Sequence, residues 1–224
     1  MSHINNIVKK PWGYEYLVYE NEHAALWFLY IAHEQSTSMH CHPNKTTGLA
    51  VLDGEVTVSF LSDKFPLSSG KKLMIRKGLF HSTCATSKAG AGIFEIETPV
   101  DKHDLVRFED AYGREGKPYE DSTFETPKQE DCLWITDPEP GAINTYDFFN
   151  CVLEVSSVTD VSYFRELEDD VNLTFLRGGL VTDYGVNVAG PGDIVSSNII
   201  KKLINVFKEV DQSTVVMIIK NNHD

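Results

Sequence analysis

Two histidines, His40 and His42, stand one residue apart in the stretch MHCHPNKTTGLAVLDGEV at residues 39–56. Side chains at i and i+2 of a β-strand project to one face, so both imidazoles could ligate a single ion. Neutral imidazole suits zinc, iron, nickel or manganese. For an isolated His-x-His pair the bland alternative is two histidines hydrogen-bonded to their neighbours, and other residues must decide. His81, in GKKLMIRKGLFHSTCA, follows a strand and a turn at Gly78, where a third ligand would arrive from a neighbouring strand. In IFEIET, Glu95 and Glu97 share one strand face and Phe94 and Ile96 the other. Carboxylates facing into a barrel mouth would complete a metal shell or move protons. Their competing reading is the solvated face of an edge strand. Lys45, Lys77, Arg107 and Arg114 are the cations that could hold an anionic group beside the ion. Arg107 could instead pair with Glu109 or Asp110.

Such residues need a rigid frame. Strand-length apolar runs recur between turn signals: AALWFLYIA (24–32), LAVLDGEVTVSF (49–60), KKLMI (71–75) and AGIFEIET (91–98). Asp53-Gly54, Ser69-Gly70 and Lys77-Gly78 punctuate them, a spacing that predicts an antiparallel sandwich or barrel. AALWFLYIA is apolar on both faces, so one face should meet the second half of the chain or another subunit, and a homodimer is expected.

From about Pro99 to Pro140 the pattern fails in an acidic, Pro- and Gly-containing stretch. Strand-like runs resume with CVLEVSSV (151–158), LTFLRGGLVTDYGV (173–186), GDIVSS (192–197) and STVVMIIK (213–220). The expected division is a metal-binding domain at 1–120, a connector at 121–145 and a second domain at 146–224. The halves look like copies, with Leu49, Leu52 and Gly54 aligned on Leu173, Leu176 and Gly178, and Gly70 on Gly192. His40 and His42 then correspond to Phe164 and Glu166, and no histidine occurs in the second half before His223. That half should lack a metal site.

With 42% hydrophobic and 11% aromatic residues in 224, the chain can bury a large core or two modest ones. A formal charge of -13 repels phosphate backbones and anionic lipid, which argues against nucleic acid and membrane as partners. The opening MSHINNIVKK lacks the apolar segment of a secretory signal, so a cytoplasmic location is expected. Cys41, Cys84, Cys132 and Cys151 show no C-x-x-C spacing and read as reduced thiols.

The run from His42 through Gly54 and Gly70 to His81 resembles the two motifs of the cupin superfamily, G-x5-H-x-H-x3-4-E-x6-G and G-x5-P-x-G-x2-H-x3-N. That resemblance implies an all-β jelly-roll (cupin) barrel, here a bicupin whose second barrel is degenerate. It also places the family's glutamate at Thr47, and puts Arg76 and Ala85 where Pro and Asn are usual. KKPWGYEYLV (9–18) and EIETPVDKHDLVRFEDAYGRE (95–115) further resemble the ends of the sugar-isomerase domain of type II mannose-6-phosphate isomerases, over residues 8–120. In that family a Gln-x-His pair and a downstream Glu stand where this chain has His40, His42 and Thr47.

The resulting expectation is a metal-dependent isomerase or epimerase acting on a sugar phosphate or nucleotide sugar. His40, His42 and His81 would hold the ion, with zinc ranked first because no ligand is charged. Glu95 or Glu97 would shuttle the proton, and Lys45, Arg107 and Arg114 would bind substrate. The alternatives are a non-catalytic sugar- or metabolite-binding cupin and a three-histidine Fe(II) dioxygenase.

Overall fold

The strand-length runs read from the sequence are strands in the computed structural model, which describes residues 6–117, 124–125 and 132–222. Two compact units emerge, Met1–Trp134 and Ile135–Asp224. The division falls inside the stretch read as a connector at 121–145. Residues 121–123 and 126–131 of that stretch lie outside the described residues, and its last residues already belong to a strand beginning at Ile143.

The first unit runs β1 (Ile7–Lys10), β2 (Gly13–Glu20), β3 (Ala25–Ile31), β4 (Met39–Cys41), β5 (Thr46–Asp53) and β6 (Glu55–Phe60). It continues with β7 (Lys64–Ser68), β8 (Lys72–Ile75), β9 (His81–Ala85), β10 (Ala91–Thr98), β11 (Val106–Glu109) and β12 (Phe124–Glu125). These strands form two sheets, ordered β12-β1-β2-β3-β10-β5-β8 and β11-β4-β9-β6-β7. Their ladders are antiparallel, and the arrangement is the expected jelly-roll barrel of cupin type.

Alternation sets what lies between the sheets. Trp27 and Leu29 of β3, Leu49 and Val51 of β5, Val56 and Val58 of β6 and Ile93 of β10 form a buried core. Glu95 and Glu97 continue the Ile93 face of β10 and so point toward the same interior. On the opposite face of that sheet Phe28 packs against Tyr16 and Phe94, and Tyr16 against Trp134. Both faces of AALWFLYIA are therefore covered, Trp27 and Phe28 each being 1% exposed. The Asp53-Gly54 turn joining β5 to β6 needs its glycine: φ is +79°, and a Cβ would lie 2.6 Å from the Gly90 carbonyl oxygen.

The second unit holds β13 (Ile143–Phe148), β14 (Cys151–Ser157), α1 (Ser162–Arg165), β15 (Asn172–Arg177), β16 (Leu180–Val181) and β17 (Asn187–Ala189). Then come β18 (Ile194–Ser196), α2 (Ser197–Leu203), β19 (Glu209–Val210) and β20 (Val215–Asn221). Its sheets are ordered β13-β14-β20-β15-β18 and β17-β16-β19. The first repeats the order β2-β3-β10-β5-β8, and the second repeats β7-β6-β9. Leu173 and Leu176 lie in β15 as Leu49 and Leu52 lie in β5, and each strand ends at a positive-φ glycine, Gly178 or Gly54. Where the first unit has β4, the second has the helical turn α1, with Phe164 buried and Glu166 at its C-cap. The second unit thus has a helical turn where the first has the strand that carries His40 and leads into His42. No histidine occurs among the described residues of the second unit, and His223 lies outside them.

All four cysteines are free thiols. Among the described residues, no helix is long and apolar enough to cross a membrane.

Candidate metal centre

β4 is short and lies between β9 and β11, so it brings residues from three segments together. His40 pairs across to His81 on one side and to Arg107 on the other. His42 follows directly after the strand and returns to the same face. Ring centroids are 4.5 Å apart for His40 and His81, 5.0 Å for His40 and His42, and 5.6 Å for His42 and His81. One ring nitrogen from each lies within 4.8 Å of the others.

Hydrogen bonds select which nitrogen that is. Nδ1 of His40 donates to the Ser38 carbonyl at 2.7 Å, Nδ1 of His42 to the Asp104 carbonyl at 2.6 Å, and Nδ1 of His81 to the Leu79 carbonyl at 2.9 Å. A carbonyl only accepts, so each Nδ1 carries the proton and each Nε2 presents a lone pair. Burial lowers all three pKa values. His40 is held well below the ordinary value, with His81 and His42 adding to the effect of burial. Burial and then Lys45 lower His42, and burial brings His81 to about 4. The imidazoles are neutral at physiological pH, the form that ligates metal. His42 Nε2 is buried with no hydrogen-bond partner, which costs about 1–3 kcal/mol unless a ligand takes the lone pair. The donor set fits a divalent cation.

Facing these rings from β10 are Glu95 and Glu97. Glu95 Oε1 lies 3.8 Å from His42 Nε2. Glu97 sits opposite Thr47 in the ladder between β10 and β5, and forms a 2.7 Å ion pair with Lys45. Both partners of that pair are buried, Lys45 at 1% and Glu97 at 2% exposure. The two carboxyls titrate in opposite directions. Burial, reinforced by the Glu97 charge, pushes Glu95 up to about 7. Burial works the same way on Glu97, but Lys102 and Lys45 outweigh it and hold Glu97 below its ordinary value. Thus β10 carries one ionised carboxylate and one carboxyl that can hold a proton near neutrality.

His40, His42, Glu95 and Glu97 line a cavity of about 50 Å³ together with Lys45, Arg107 and Arg114, whereas His81 is not among its lining residues. Not every candidate plays the same part. Arg114 is tied to Asp110 by two bonds of 2.9 and 2.7 Å, and Arg107 donates to the Lys117 carbonyl at 2.7 Å. Lys77 is exposed and is not among the residues lining the cavity. Thr47, where a glutamate was expected, is buried with no hydrogen-bond partner for its hydroxyl.

Four contributors escaped the sequence reading. Lys102 lies over the Trp27 ring at 3.7 Å and pairs with Glu15 at 3.3 Å. Burial works to lower its pKa, but Glu15, Glu97 and Glu95 outweigh burial and raise it. Glu15 is also 3.8 Å from Lys10. Asp104 binds the turn after His42, its carboxylate accepting from the Asn44 and Lys45 backbone amides at 2.8 and 2.9 Å. Lys10 and Asp104 lie inside the motif-like runs KKPWG and DLVR. Lys102 carries no pattern that would mark it, because a lysine after a strand is ordinarily a surface charge.

No family model matches the chain, and no curated protein matches it. Solved structures are similar at low identity. A Klebsiella pneumoniae protein with a double-stranded β-helix domain is 15% identical, over 49% of this chain and 90% of that one, with a TM-score of 0.40. KdgF from Halomonas is 14% identical, over 42% and 88%, with a TM-score of 0.40. A cupin-2 domain protein from Shewanella frigidimarina is 18% identical, over 42% and 85%, with a TM-score of 0.36. The resemblance to type II mannose-6-phosphate isomerases rests on the motif residues of this chain alone. By its own strand order, the first unit is an all-β barrel of cupin type.

Proposed function

We propose that the first unit is a metal-dependent isomerase or epimerase that moves a proton between adjacent carbons of a sugar phosphate or nucleotide sugar. One juxtaposition supports this reading: His40, His42 and His81 each bring one ring nitrogen within 4.8 Å of the others, beside a pair of carboxyls that differ in charge. A divalent ion held by His40, His42 and His81, with zinc before iron, nickel or manganese, would supply a Lewis acid for a sugar oxygen.

The remaining work falls to the chain's own residues. Glu97 is fixed as a carboxylate by Lys45 at 2.7 Å and gives the cavity a constant negative charge. Glu95, with a pKa of about 7, can take up and release a proton at neutral pH and is the proton shuttle. Trp12 and Leu29 on the cavity wall limit bulk water around the reacting carbons.

The test is solvent deuterium incorporation into a panel of sugar phosphates and nucleotide sugars, with zinc-, manganese- and iron-loaded protein. Exchange that is lost in Glu95→Gln with metal content unchanged is the expected result. Exchange untouched by that substitution rejects Glu95 as the shuttle. A second reading, an Fe(II) dioxygenase, is favoured by the wholly neutral histidine set, and oxygen uptake by the iron-loaded protein identifies it.

The matching strand orders support a bicupin whose second barrel lost its site when a helical turn replaced the metal-bearing strand. The four free thiols accord with a cytoplasmic location. A homodimer remains part of the proposal, and a sedimentation mass equal to one chain would overturn it.

A further inference from the structure

His42 stands in two groups of metal-ligating side chains. One is the set with His40 and His81; the other is His42 with Glu95 and Glu97, whose ligand atoms also lie within 4.8 Å of one another. Nδ1 of His42 is committed to the Asp104 carbonyl, so Nε2 is the atom that faces both sets, and it is buried with no hydrogen-bond partner among the described residues. An imidazole and two carboxylates are an ordinary donor set for zinc or manganese. The carboxylate side of the cavity is therefore built like a second position for a divalent ion.

A cation of the chain already stands there. Lys45 Nζ donates to Glu97 Oε1 at 2.7 Å, and both side chains are buried. The root of the lysine is fixed as well, because its backbone amide donates to the Asp104 carboxylate at 2.9 Å. A metal–carboxylate bond is about 2.0–2.2 Å long, so an ion on Glu97 would stand against this ammonium with little water to screen the repulsion. The neighbouring Lys102 is paired with Glu15 at 3.3 Å and lies over Trp27. We infer that Lys45 is a built-in cation that fills the second metal position and holds the centre to one ion. A second ion would draw on both carboxyls, and Lys45 thereby keeps Glu95 unligated. This deepens the proposed function by naming the residue that sets the number of ions, and it rests on that reading for the ion at the three histidines. His42 gives its lone pair to one ion at a time, so a second ion, held by the two carboxylates and water, is the weaker one.

The experiment counts bound manganese in the full chain by elemental analysis at saturation and by electron paramagnetic resonance. Wild type should hold one ion with the six-line spectrum of isolated manganese. Lys45→Met should hold two, coupled closely enough to broaden that spectrum away, and Lys45→Met with Glu97→Gln should return to one. Because Lys45→Met leaves Glu97 buried without its partner, circular dichroism checks folding, and Lys45→Gln, which keeps a donor but no charge, is a second variant expected to hold two ions. One ion in wild type and in both lysine variants overturns the inference and leaves the metal centre standing. Two ions in wild type overturn it too. No ion in wild type but one in Lys45→Gln, lost when Glu97→Gln is added, keeps the second position and rejects the three-histidine centre. No ion in any of them overturns both.

Discussion

The backbone carbonyl of Asp104 accepts the Nδ1 proton of His42 at 2.6 Å, while the Asp104 carboxylate accepts from the Asn44 amide at 2.8 Å and the Lys45 amide at 2.9 Å. One residue before β11 thus orients a candidate ligand ring and clamps the turn that follows it. Asp104→Ala keeps the carbonyl but frees the turn. Metal affinity should fall about tenfold, as is usual when outer partners of a ligating histidine are removed. Competition with a chelator measures it, and unchanged affinity would show that the clamp is dispensable.

The Lys45–Glu97 pair gives a stability prediction. Glu97→Gln leaves a buried ammonium facing a neutral amide and should destabilise the fold by about 3 kcal/mol in urea denaturation. Replacing both partners, Lys45→Met with Glu97→Leu, should recover most of that loss, because neither charge is then buried alone. Equal destabilisation in the single and double variants would contradict this account.

His81→Ala removes one of three converging Nε2 atoms from a strand otherwise held by its ladder to β6. Bound zinc after dialysis should fall at least tenfold, with the far-ultraviolet dichroism retained. Full metal retention by the folded variant would show that the ion, if any, binds elsewhere.

Acid should destabilise the metal-free protein. The histidines titrate below their ordinary value when folded, chiefly through burial, and His81 does so at about 4. Their unfolded values lie near about 6.5, so between those limits the unfolded chain binds more protons. For His81 the contribution to stability is complete above about 6.5 and is lost as pH falls toward 4, and His40 and His42 act in the same direction. Glu95 opposes this, since its folded value of about 7 exceeds the unfolded value of about 4.3 and favours the fold at lower pH. Three imidazoles outweigh one carboxyl. Stability at pH 5 should be lower than at pH 7 by something on the order of 2 kcal/mol, read from urea midpoints. Higher stability at pH 5 would reverse the sign and reject neutral burial of the rings.

Much of this arrangement is legible in one dimension because it follows from period-two alternation. His40 and His42, and Glu95 and Glu97, are each separated by one residue, so strand geometry alone puts each pair on one face. Gly54 and Gly178 mark positive-φ strand ends at matched places in the two units. The aromatic character of AALWFLYIA announced that both its faces would be covered.

Other features depend on which strands become neighbours, and no local pattern carries that. Thr47 read as a missing carboxylate; the ladder between β5 and β10 sets Glu97 directly opposite it, so negative charge reaches the same region from another strand. Lys102 and Glu15 are far apart in the chain and lie 3.3 Å apart in the fold, over Trp27. The amino-acid order by itself determined the strands, their inward faces and the residues able to ligate a cation. Only the tertiary structure decided that Glu97 is pinned by Lys45 while Glu95 is left near neutrality, because desolvation and charge pairing are properties of the assembled cavity and have no value for an isolated strand.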